Sequence, residues 1–303
     1  MKIGVTGATG FIGTRIIAMA RERDHEIIGL TRNPALEIPG CIETRKFSAD
    51  EKVDVSGCDA IIHLAGENVF GLWTAEKKRR IRDSRILGTR QLADAILVSA
   101  NPPRVLVSSS AIGFYGDTGE READEDSPSG DGFLADVSRT WEAEAVRVSE
   151  KNVRVVLLRT SLVLGRNGGA LRIMAPLFRA GLGGVLGSGQ QWMSWIHLDD
   201  EAALALFAVE NAAVSGPLNA VAPQPVRNAD FTRVLARAVH RHAFFKVPAF
   251  VLKNTLGGFS HELLDSKRIL PKRAIATGFT HQFPTLDTAL VDIFPIANPK
   301  SKI

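Results

Sequence analysis

Cysteine and tyrosine are scarce in this chain of 303 residues, which contains two of the former and one of the latter. Cys41 and Cys58 do not form a cluster of metal ligands, and two cysteines do not provide the disulfide framework of a small secreted protein. The sequence has no uninterrupted apolar run long enough to cross a bilayer. Met1 leads directly into a predicted strand, with no signal peptide before it. We therefore expect a cytoplasmic protein without a metal site.

Neither positive nor negative charge is in large excess in this sequence. The 37 Lys and Arg residues against 33 Asp and Glu residues give a net charge of +4, and the basic residues are not gathered into a tail. This balance favours an anionic cofactor or small-molecule substrate, so we expect neither nucleic acid nor a membrane as a partner. Apolar residues make up 45% of the chain and charged residues 23%, which is typical of a soluble globular protein with an ample core.

The first thirteen residues carry the clearest functional pattern. Lys2 to Thr6 is a short segment rich in β-branched residues, which predicts a buried strand, and an apolar-periodic stretch from Phe11 to Ala20 predicts a helix. Between them Gly7, Gly10 and Gly13 form the spacing G-x-x-G-x-x-G. Glycines at this spacing between a strand and a helix are typical of a dinucleotide-binding turn.

Each glycine of this turn has its own physical reason. Gly7 can make the tight turn after the strand, Gly10 has no Cβ to hold a pyrophosphate away from the backbone, and Gly13 lets the helix lie close to the sheet. The free N–H groups at the start of the helix then point at the phosphates, whose charge the helix dipole favours. We predict that a cofactor pyrophosphate binds at Gly7, Thr9, Gly10, Phe11, Ile12 and Gly13. The alternative is three ordinary turn glycines.

The second predicted strand, His25 to Thr31, is followed directly by Arg32. In a dinucleotide site an acidic residue about 20 residues after the glycines usually binds the ribose hydroxyls of NAD, and this region has no acidic residue. Arg32 instead offers a fork of donors that suits a 2′-phosphate. We therefore predict NADP(H) in preference to NAD(H), with its adenosine phosphate on Thr31 and Arg32. The alternative for Arg32 is a solvated surface side chain.

Strands and helices alternate through the first half of the chain. Asp59 to Leu64, Arg104 to Ser109 and Val153 to Leu158 are typical of buried strands, whereas Thr74 to Ala100 and Phe133 to Val148 have helical patterns. Because parallel strands need crossover connections of this kind, the alternation predicts an α/β fold built on a doubly wound, parallel Rossmann sheet.

The alternation loosens after Gly165, which sets the expected domain boundary. We expect an NADP-binding Rossmann domain over residues 1–165 and a smaller mixed α/β C-terminal substrate region over residues 166–303. Segments at about 190–222 are expected to return to the Rossmann sheet.

Two further groups of cofactor-binding residues are predicted from position. Leu64, Ala65 and Gly66 follow a central strand, where small residues let a cofactor cross the sheet edge, so we predict backbone contacts from them. A structural turn is the alternative there. Arg85 lies near the inward side of the long helix and is predicted as a phosphate ligand, whereas the basic run from Lys77 to Arg80 is interpreted as a solvated face.

These landmarks together resemble the extended short-chain dehydrogenase/reductase family, in an atypical form. The motifs that carry the resemblance are TGATGFIG, HLAG, SSSAIGFYG, LRTSLVLG and WIHLDD. More narrowly, the chain is similar to the nucleoside-diphosphate-sugar epimerase-like subgroup, which is marked by LAGEN, DEDSP, a GLGG–GSGQQ–WIH run and a PKR segment. Members are called epimerase family proteins, and some carry the label cell division inhibitor. The resemblance implies the Rossmann fold and a nicotinamide cofactor.

The chain departs from the wider family at its catalytic motif Y-x-x-x-K, in which a Tyr assisted by a Lys acts as acid and base. Where the motif is expected, Asp136 and Thr140 take the Tyr and Lys positions. The family's serine has a counterpart in Ser109 or Ser110, and the chain's one tyrosine is Tyr115. We predict Ser110 and Tyr115 as candidate catalytic residues, with ordinary aromatic packing as the alternative for Tyr115.

Two functional hypotheses follow. In the first, the chain is an NADP(H)-dependent oxidoreductase or epimerase-like enzyme acting on an unidentified small molecule, with a sugar nucleotide or another anionic molecule as options. The nicotinamide end of its cofactor would lie near Leu64 to Gly66, Ser109 and Val163. In the second, the chain is a catalytically impaired NADP(H)-binding sensor or partner-binding protein. Both a monomer and a dimer remain open.

Overall fold

The structure, a computed structural model, describes residues 1–48, 52–166 and 168–295. Its strands are β1 (Lys2–Thr6), β2 (Glu26–Thr31), β3 (Glu43–Lys46), β4 (Ala60–His63), β5 (Val105–Ala111), β6 (Arg154–Thr160), β7 (Leu162–Leu164), β8 (Gly184–Leu186), β9 (Trp192–Met193), β10 (Trp195–His197), β11 (Gly216–Ala220), β12 (Val226–Arg227) and β13 (Phe245–Val247). Its α-helices are α1 (Phe11–Glu22), α2 (Ala75–Val98), α3 (Phe133–Val146), α4 (Leu171–Arg179), α5 (Leu198–Glu210), α6 (Asn228–Ala238), α7 (Ala249–Leu256), α8 (Ser260–Leu264), α9 (Lys272–Ala276) and α10 (Leu286–Ile293). Short 3₁₀ helices cover Ile112–Tyr115, Arg147–Lys151 and Gly257–Phe259.

In the part of the chain that the structure describes, seven strands form one sheet in the order β11-β6-β5-β4-β1-β2-β3. Every neighbouring pair in this sheet is parallel. Parallel neighbours cannot be joined by a tight turn, so α1, α2 and α3 serve as crossovers between consecutive strands. The predicted doubly wound, parallel Rossmann sheet is confirmed. β11 adds the last strand beside β6, so the chain returns to this sheet after its C-terminal part has begun.

Buried apolar side chains cover both faces of this sheet. Ile62 in β4 packs on the same side as Ile16 of α1 and Leu204 of α5. Its neighbour Ile61 packs on the opposite side, with Leu92 of α2. Successive side chains of a strand point to opposite faces, so a strand covered by helices on both sides must be apolar throughout. Ala60, Ile61 and Ile62 of β4 meet this requirement, and His63 at the end of the strand is buried in hydrogen bonds.

A second core lies in the C-terminal region. Within the described ranges, β7 pairs with β10, β9 with β12 and β8 with β13, each as a two-stranded sheet. These strands and α4, α6 and α10 surround Trp195 and Phe231, which are fully buried. Because β7 follows β6 after one residue and β10 leads into α5, this second core is attached at the carboxyl edge of the main sheet.

The acidic segment 117–126 is fastened to the segment 266–273. Ala123 and Ile269 form an isolated parallel bridge. The ion pairs between the two segments include Glu122 with Arg268, Asp124 with Lys272 and Asp126 with Arg273. A segment that follows β5 is thereby held against the C-terminal region.

Candidate cofactor site

The glycine turn lies where the strand order of the main sheet reverses, between β1 and β4. In open parallel sheets such a reversal leaves a crevice outside the carboxyl ends of the strands, where ligands bind. Gly7 has φ +66°, and its carbonyl accepts a hydrogen bond of 2.8 Å from the Gly10 N–H. A Cβ on Gly13 would lie 2.3 Å from the Gly7 carbonyl oxygen. Both positions therefore require glycine, and the sequence prediction of a tight turn is confirmed.

The first turn of α1 offers unpaired backbone donors to this crevice. Gly10 is the N-cap residue and provides no side-chain cap, and no acidic residue lies in the first turn. The first backbone hydrogen bond of the helix joins the Thr14 N–H to the Gly10 carbonyl, at 3.0 Å. The N–H groups of Phe11, Ile12 and Gly13 precede it and have no partner within the helix. Together with the helix dipole, they suit an anion.

The Phe11 ring brings the loop after β7 over the glycine turn. Ideal Cβ positions on Gly165 and Gly168 would fall 2.6 and 2.2 Å from atoms of this ring, so the loop approaches as closely as its glycines permit. Thr9, in the glycine turn, is exposed. Val163 lies buried in β7, just before this loop.

Thr6 joins the end of β1 to the end of β4, a link that sequence reasoning missed. Its Oγ1 accepts hydrogen bonds from the backbone N–H groups of Leu64 and Ala65, at 2.9 and 3.1 Å. The same oxygen lies 2.7 Å from His63 Nδ1, whose Nε2 lies 2.9 Å from Thr89 Oγ1. Burial lowers the pKa of His63 to about 4, so the imidazole is neutral. Two predicted cofactor residues are thus held in place beside the glycine turn.

A surplus of positive charge lies around Glu67, just after this strand end. Lys77 Nζ is 2.7 Å from Glu67 Oε1, and Arg80 Nε is 3.8 Å from it. The pKa of Glu67 is lowered, chiefly by the Lys77 hydrogen bond and also by the charges of Arg80 and Arg32. Arg32 is exposed directly after Thr31, the last residue of β2. Arg80 also pairs with Glu76, at 2.9 Å, so Lys77, Arg80 and Arg32 together outnumber the carboxylates of Glu67 and Glu76 at the edge predicted for the adenosine phosphate.

Arg85 contacts the backbone of the same loop. Its Nη1 donates hydrogen bonds to the carbonyls of Glu67 and Ile81, at 3.0 and 3.2 Å. Its guanidinium carbon lies 3.4 Å from an ideal Cβ on Gly66 and 5.2 Å from the Trp141 ring. Burial lowers the pKa of Arg85 to about 10, which still leaves the side chain charged at neutral pH. The structure thus places a half-buried cation against the backbone of the predicted cofactor loop.

The two predicted catalytic residues belong to one buried polar network. Ser110 Oγ donates to Glu142 Oε1 at 2.6 Å, and Arg159 donates to both oxygens of Glu142, at 2.8 and 2.9 Å. Arg159 Nη1 also donates to the Tyr115 hydroxyl at 2.8 Å, which in turn donates to Asn219 Oδ1 at 2.7 Å. Burial raises the pKa of Tyr115 to about 12. Both hydroxyls are therefore engaged, and a catalytic role for either stays a prediction. Ser109, between the buried Ser108 and Ser110, is partly exposed.

The buried face of α3 does not contain the two residues that the sequence analysis aligned with the Tyr and Lys of the family motif. Asp136 and Thr140 are exposed, and Asp136 pairs with Arg139 on the same helix. The interpretation that these two residues occupy the Tyr and Lys positions is therefore wrong. Ser138 and Glu142 are a buried polar pair at i, i+4 spacing. Neither is a phenol or an amine, so this face offers no Tyr-x-x-x-Lys chemistry.

Aromatic side chains cover the space between the loop after β4, the start of α3 and the C-terminal region. The Trp73 ring lies 5.3 Å from that of Phe133 and 5.8 Å from that of Phe259, and Phe70 lies 5.7 Å from Phe259. Lys78 lies over the Phe133 ring, at 5.5 Å from its centroid. The wall on this side of the strand ends is therefore mainly apolar.

Comparison with known proteins agrees with this geometry. A model of the NAD dependent epimerase/dehydratase family matches residues 3–220. The chain belongs to this family. A domain of unknown function, DUF1731, matches residues 247–293 of this epimerase/dehydratase-family protein. The resemblance inferred from the motifs is confirmed.

The relatives of this family member extend over nearly its whole length. It is 40% identical over 302 residues to the chloroplastic epimerase family protein SDR39U1 homolog of Arabidopsis thaliana, covering 96% of this chain and 86% of the relative. The crystal structure of the human epimerase family protein SDR39U1 (isoform 2) with NADPH has a TM-score of 0.90 at 36% identity, covering 97% of this chain and 99% of that one. The nucleoside-diphosphate sugar epimerase of Corynebacterium glutamicum has a TM-score of 0.80 at 32% identity, covering 97% and 58%.

The described residues contain neither a candidate metal centre nor a candidate membrane-spanning helix. No group of three or more His, Cys, Asp and Glu side chains among them is arranged to hold a metal ion. No helix in the same residues combines the length and apolar character that crossing a membrane requires.

Proposed function

We propose that this epimerase/dehydratase-family protein binds NADPH at the carboxyl edge of its main sheet and acts as an NADPH-dependent oxidoreductase or epimerase-like enzyme. The observation that carries the proposal is the uncapped first turn of α1 in the crevice between β1 and β4. This crevice has free backbone donors, glycines at positions where a Cβ would clash, and a cationic edge. These features fit a dinucleotide with an additional phosphate. The human relative crystallised with NADPH supports the choice of cofactor.

Each part of the cofactor has residues that would hold it. The N–H groups of the turn from Gly7 to Gly13, with Thr9 at its exposed side, would bind the pyrophosphate. Thr31 and Arg32 would bind the 2′-phosphate, since the surplus of cations around Glu67 lies at this edge. The nicotinamide end would lie near the backbone of Leu64 to Gly66, with Ser109 and Val163 beyond it and Arg85 below the loop.

When bound, NADPH would supply a hydride, and the protein's own residues supply position and charge. Glu142 accepts a hydrogen bond from the Ser110 hydroxyl and is held by Arg159, so the Ser110 oxygen keeps one orientation at the end of β5. Its unused acceptor capacity could position a substrate hydroxyl. The buried face of α3 carries Ser138 and Glu142 instead of a Tyr and a Lys. Proton transfer must therefore use another group, and we expect slow turnover.

A second candidate function is an NADPH-binding sensor with little or no catalytic activity. The engagement of the Tyr115 hydroxyl by Arg159 and Asn219 favours it, because this phenol is not free to exchange a proton with a substrate. The apolar wall of Trp73, Phe133 and Phe259 also offers few groups to a polar substrate.

For the enzyme, a sugar nucleotide as substrate is supported by the name of the Corynebacterium relative.

Calorimetric titration with NADPH and NADH tests the proposed cofactor site. Arg32→Ala should weaken NADPH binding by about 10- to 100-fold, the value of one charge-assisted contact to a phosphate, and leave NADH binding unchanged. Arg104→Ala is the matched control, since this exposed arginine lies at the amino end of β5. Equal losses for both cofactors in Arg32→Ala would refute the phosphate role of Arg32. Absence of binding of either cofactor to the wild type would refute the proposal as a whole.

Substrate tests separate the two functions. Stopped-flow measurement of NADPH absorbance against a panel of carbonyl compounds, including keto-sugar nucleotides, should show consumption for an enzyme. NADPH binding without consumption across the whole panel would favour the sensor.

A further inference from the structure

Glu201, in the first half of α5, is a buried carboxyl group with one unpaired oxygen. The residue is fully buried, and its Oε1 accepts a hydrogen bond of 2.7 Å from Thr160 Oγ1. Its Oε2 is buried and has no hydrogen-bond partner among the described residues. Buried polar atoms are nearly always paired, because an unpaired one has lost its hydration without replacement. This oxygen therefore requires an explanation.

The charged groups around α5 leave Glu201 without a counter-ion. The titratable residues on the described elements packed against α5 are Arg15, Arg21, Glu22, Arg154, Arg159 and His197, with Arg21 exposed, and His281 lies near Asp200. Arg15 pairs with Asp199 and Glu22 on the outer side of α1 and α5. Arg159 reaches Glu142 on the opposite face of the sheet, whereas Arg154 donates to backbone carbonyls at the far end of α5. His197 lies near Asp292, and His281 lies against the Val221 carbonyl.

None of these groups contributes to the titration of Glu201. Burial raises the pKa of Glu201 to about 8, and the Thr160 hydrogen bond offsets only part of that increase. The carboxyl group consequently keeps its proton at neutral pH. Asp199 and Asp200 precede it on the same helix, but Asp200 accepts two backbone N–H groups, from Gln282 and Phe283, and does not reach it.

Thr160, the hydrogen-bond partner of Glu201, lies at the proposed cofactor edge. Thr160 is the last residue of β6 and is paired in the sheet with Ala111 of β5, directly after Ser110. Its side chain is partly exposed, and β7, which contains Val163, begins two residues later. The proposed nicotinamide position lies between Ser109 and Val163. Thr160 therefore lies at the same strand ends as the proposed ring position, and Glu201 is one hydrogen bond away from it.

The two oxidation states of the cofactor differ in charge at this end. The nicotinamide ring is positively charged in NADP⁺ and neutral in NADPH. A positive charge near a buried carboxyl group favours its ionised form, and a neutral ring does not. We propose, on the basis of the proposed function, that Glu201 reads the oxidation state of the bound cofactor: it stays protonated beneath NADPH and releases its proton to solvent when NADP⁺ binds.

This arrangement would make cofactor selection depend on pH. Because NADP⁺ binding releases a proton and NADPH binding does not, the affinity for NADP⁺ relative to NADPH should rise by up to about tenfold per pH unit while Glu201 is protonated in the free protein. At lower pH the protein prefers NADPH more strongly. Above the pKa of Glu201 the preference becomes independent of pH.

Calorimetry in two buffers of different ionisation enthalpy counts the protons released on binding. At pH 7 we expect NADP⁺ to release about one proton more than NADPH. The 2′-phosphate is present in both cofactors, so any proton that it loses at Arg32 cancels in the difference. Glu201→Gln, whose amide is similar in shape to a protonated carboxyl group, should abolish the difference and leave NADPH affinity unchanged. Glu210→Gln, at the other end of the same helix, should retain it.

A measurement on the wild type makes the test independent of whether Glu201→Gln folds. Infrared difference spectra should lose the carbonyl band of a protonated carboxyl group when NADP⁺ binds and keep it when NADPH binds. Equal proton release for the two cofactors in the wild type, or an unchanged difference in Glu201→Gln, would overturn the inference while NADPH binding stands. Failure of both cofactors to bind would instead overturn the proposed function, and this inference with it.

Discussion

The guanidinium of Arg159 in β6 and the carboxylate of Glu142 in α3 form a two-point ion pair in the protein interior, with side chains only 3% and 9% exposed. Arg159 also stacks over the Phe114 ring, at 3.5 Å from its centroid. Removal of one partner of a buried pair leaves an uncompensated charge, so its cost is much larger than that of an exposed pair. This pair connects the helix that should carry the catalytic motif to the strand beside it.

The first prediction concerns this pair. Glu142→Ala should lower the free energy of unfolding by about 3–5 kcal/mol, because the Arg159 charge stays buried without a counter-ion. Asp136→Ala removes an exposed ion pair with Arg139 on the same helix and should cost less than about 1 kcal/mol. Urea unfolding followed by circular dichroism measures both. Similar losses in the two variants would contradict the assignment of Glu142 to the interior.

The glycine turn provides a second prediction. Gly13→Ala places a Cβ 2.3 Å from the Gly7 carbonyl oxygen, so α1 must move away from the turn. We expect a loss of about 1–3 kcal/mol in stability and of at least about tenfold in NADPH affinity. Gly88→Ala, in the middle of α2, meets only the Phe47 ring at 3.8 Å and should stabilise the protein by about 0.5–1 kcal/mol. Unchanged NADPH binding by Gly13→Ala would show that the turn is not the binding element.

The neutral His63 makes stability depend on pH in the acid range. Burial lowers its pKa from 6.5 to about 4, so between these values the unfolded chain binds a proton that the folded chain does not. The free energy of unfolding should therefore fall by up to about 1.4 kcal/mol per unit as pH decreases through this window. His63→Gln has no such proton, so its stability should depend less on pH. Parallel curves for wild type and variant between pH 6.5 and 4 would contradict the prediction.

The single tyrosine allows a direct spectroscopic test of the network. Burial raises the pKa of Tyr115 from 10.0 to about 12, and no other phenol contributes to the absorbance. In an alkaline titration of the folded protein, the phenolate band should appear only near pH 12 or on unfolding. A phenolate signal centred on the ordinary value, with the fold intact by circular dichroism, would mean that the hydroxyl is accessible and available for proton transfer.

The sequence predictions that the structure confirms were made from patterns in short segments of the chain. The strand, glycine turn and helix at the amino terminus occupy consecutive residues, and the missing acid at the end of β2 is a feature of one strand. Such patterns depend on the backbone of a single segment, so Gly7, Gly13 and the parallel sheet can be inferred without knowing what packs against them.

The register of α3 shows where this approach fails. Successive residues of a helix are separated by about 100°, so an alignment error of two residues turns a side chain from the sheet toward solvent. The sequence alone aligned Asp136 and Thr140 with the Tyr and Lys of the motif, whereas packing against β5 and β6 buries Ser138 and Glu142.

The amino-acid sequence by itself determined the alternation of strands and helices, the glycine turn and the absence of a Tyr–Lys pair, because each of these depends on residues that are near one another in the chain. Only the tertiary structure decided that Thr6 meets His63, that Glu142 meets both Ser110 and Arg159, and that Glu201 lies beneath Thr160 with one oxygen unpaired. These partners belong to different strands and helices, and folding brings them together where their hydrogen bonds and charges are shielded from water.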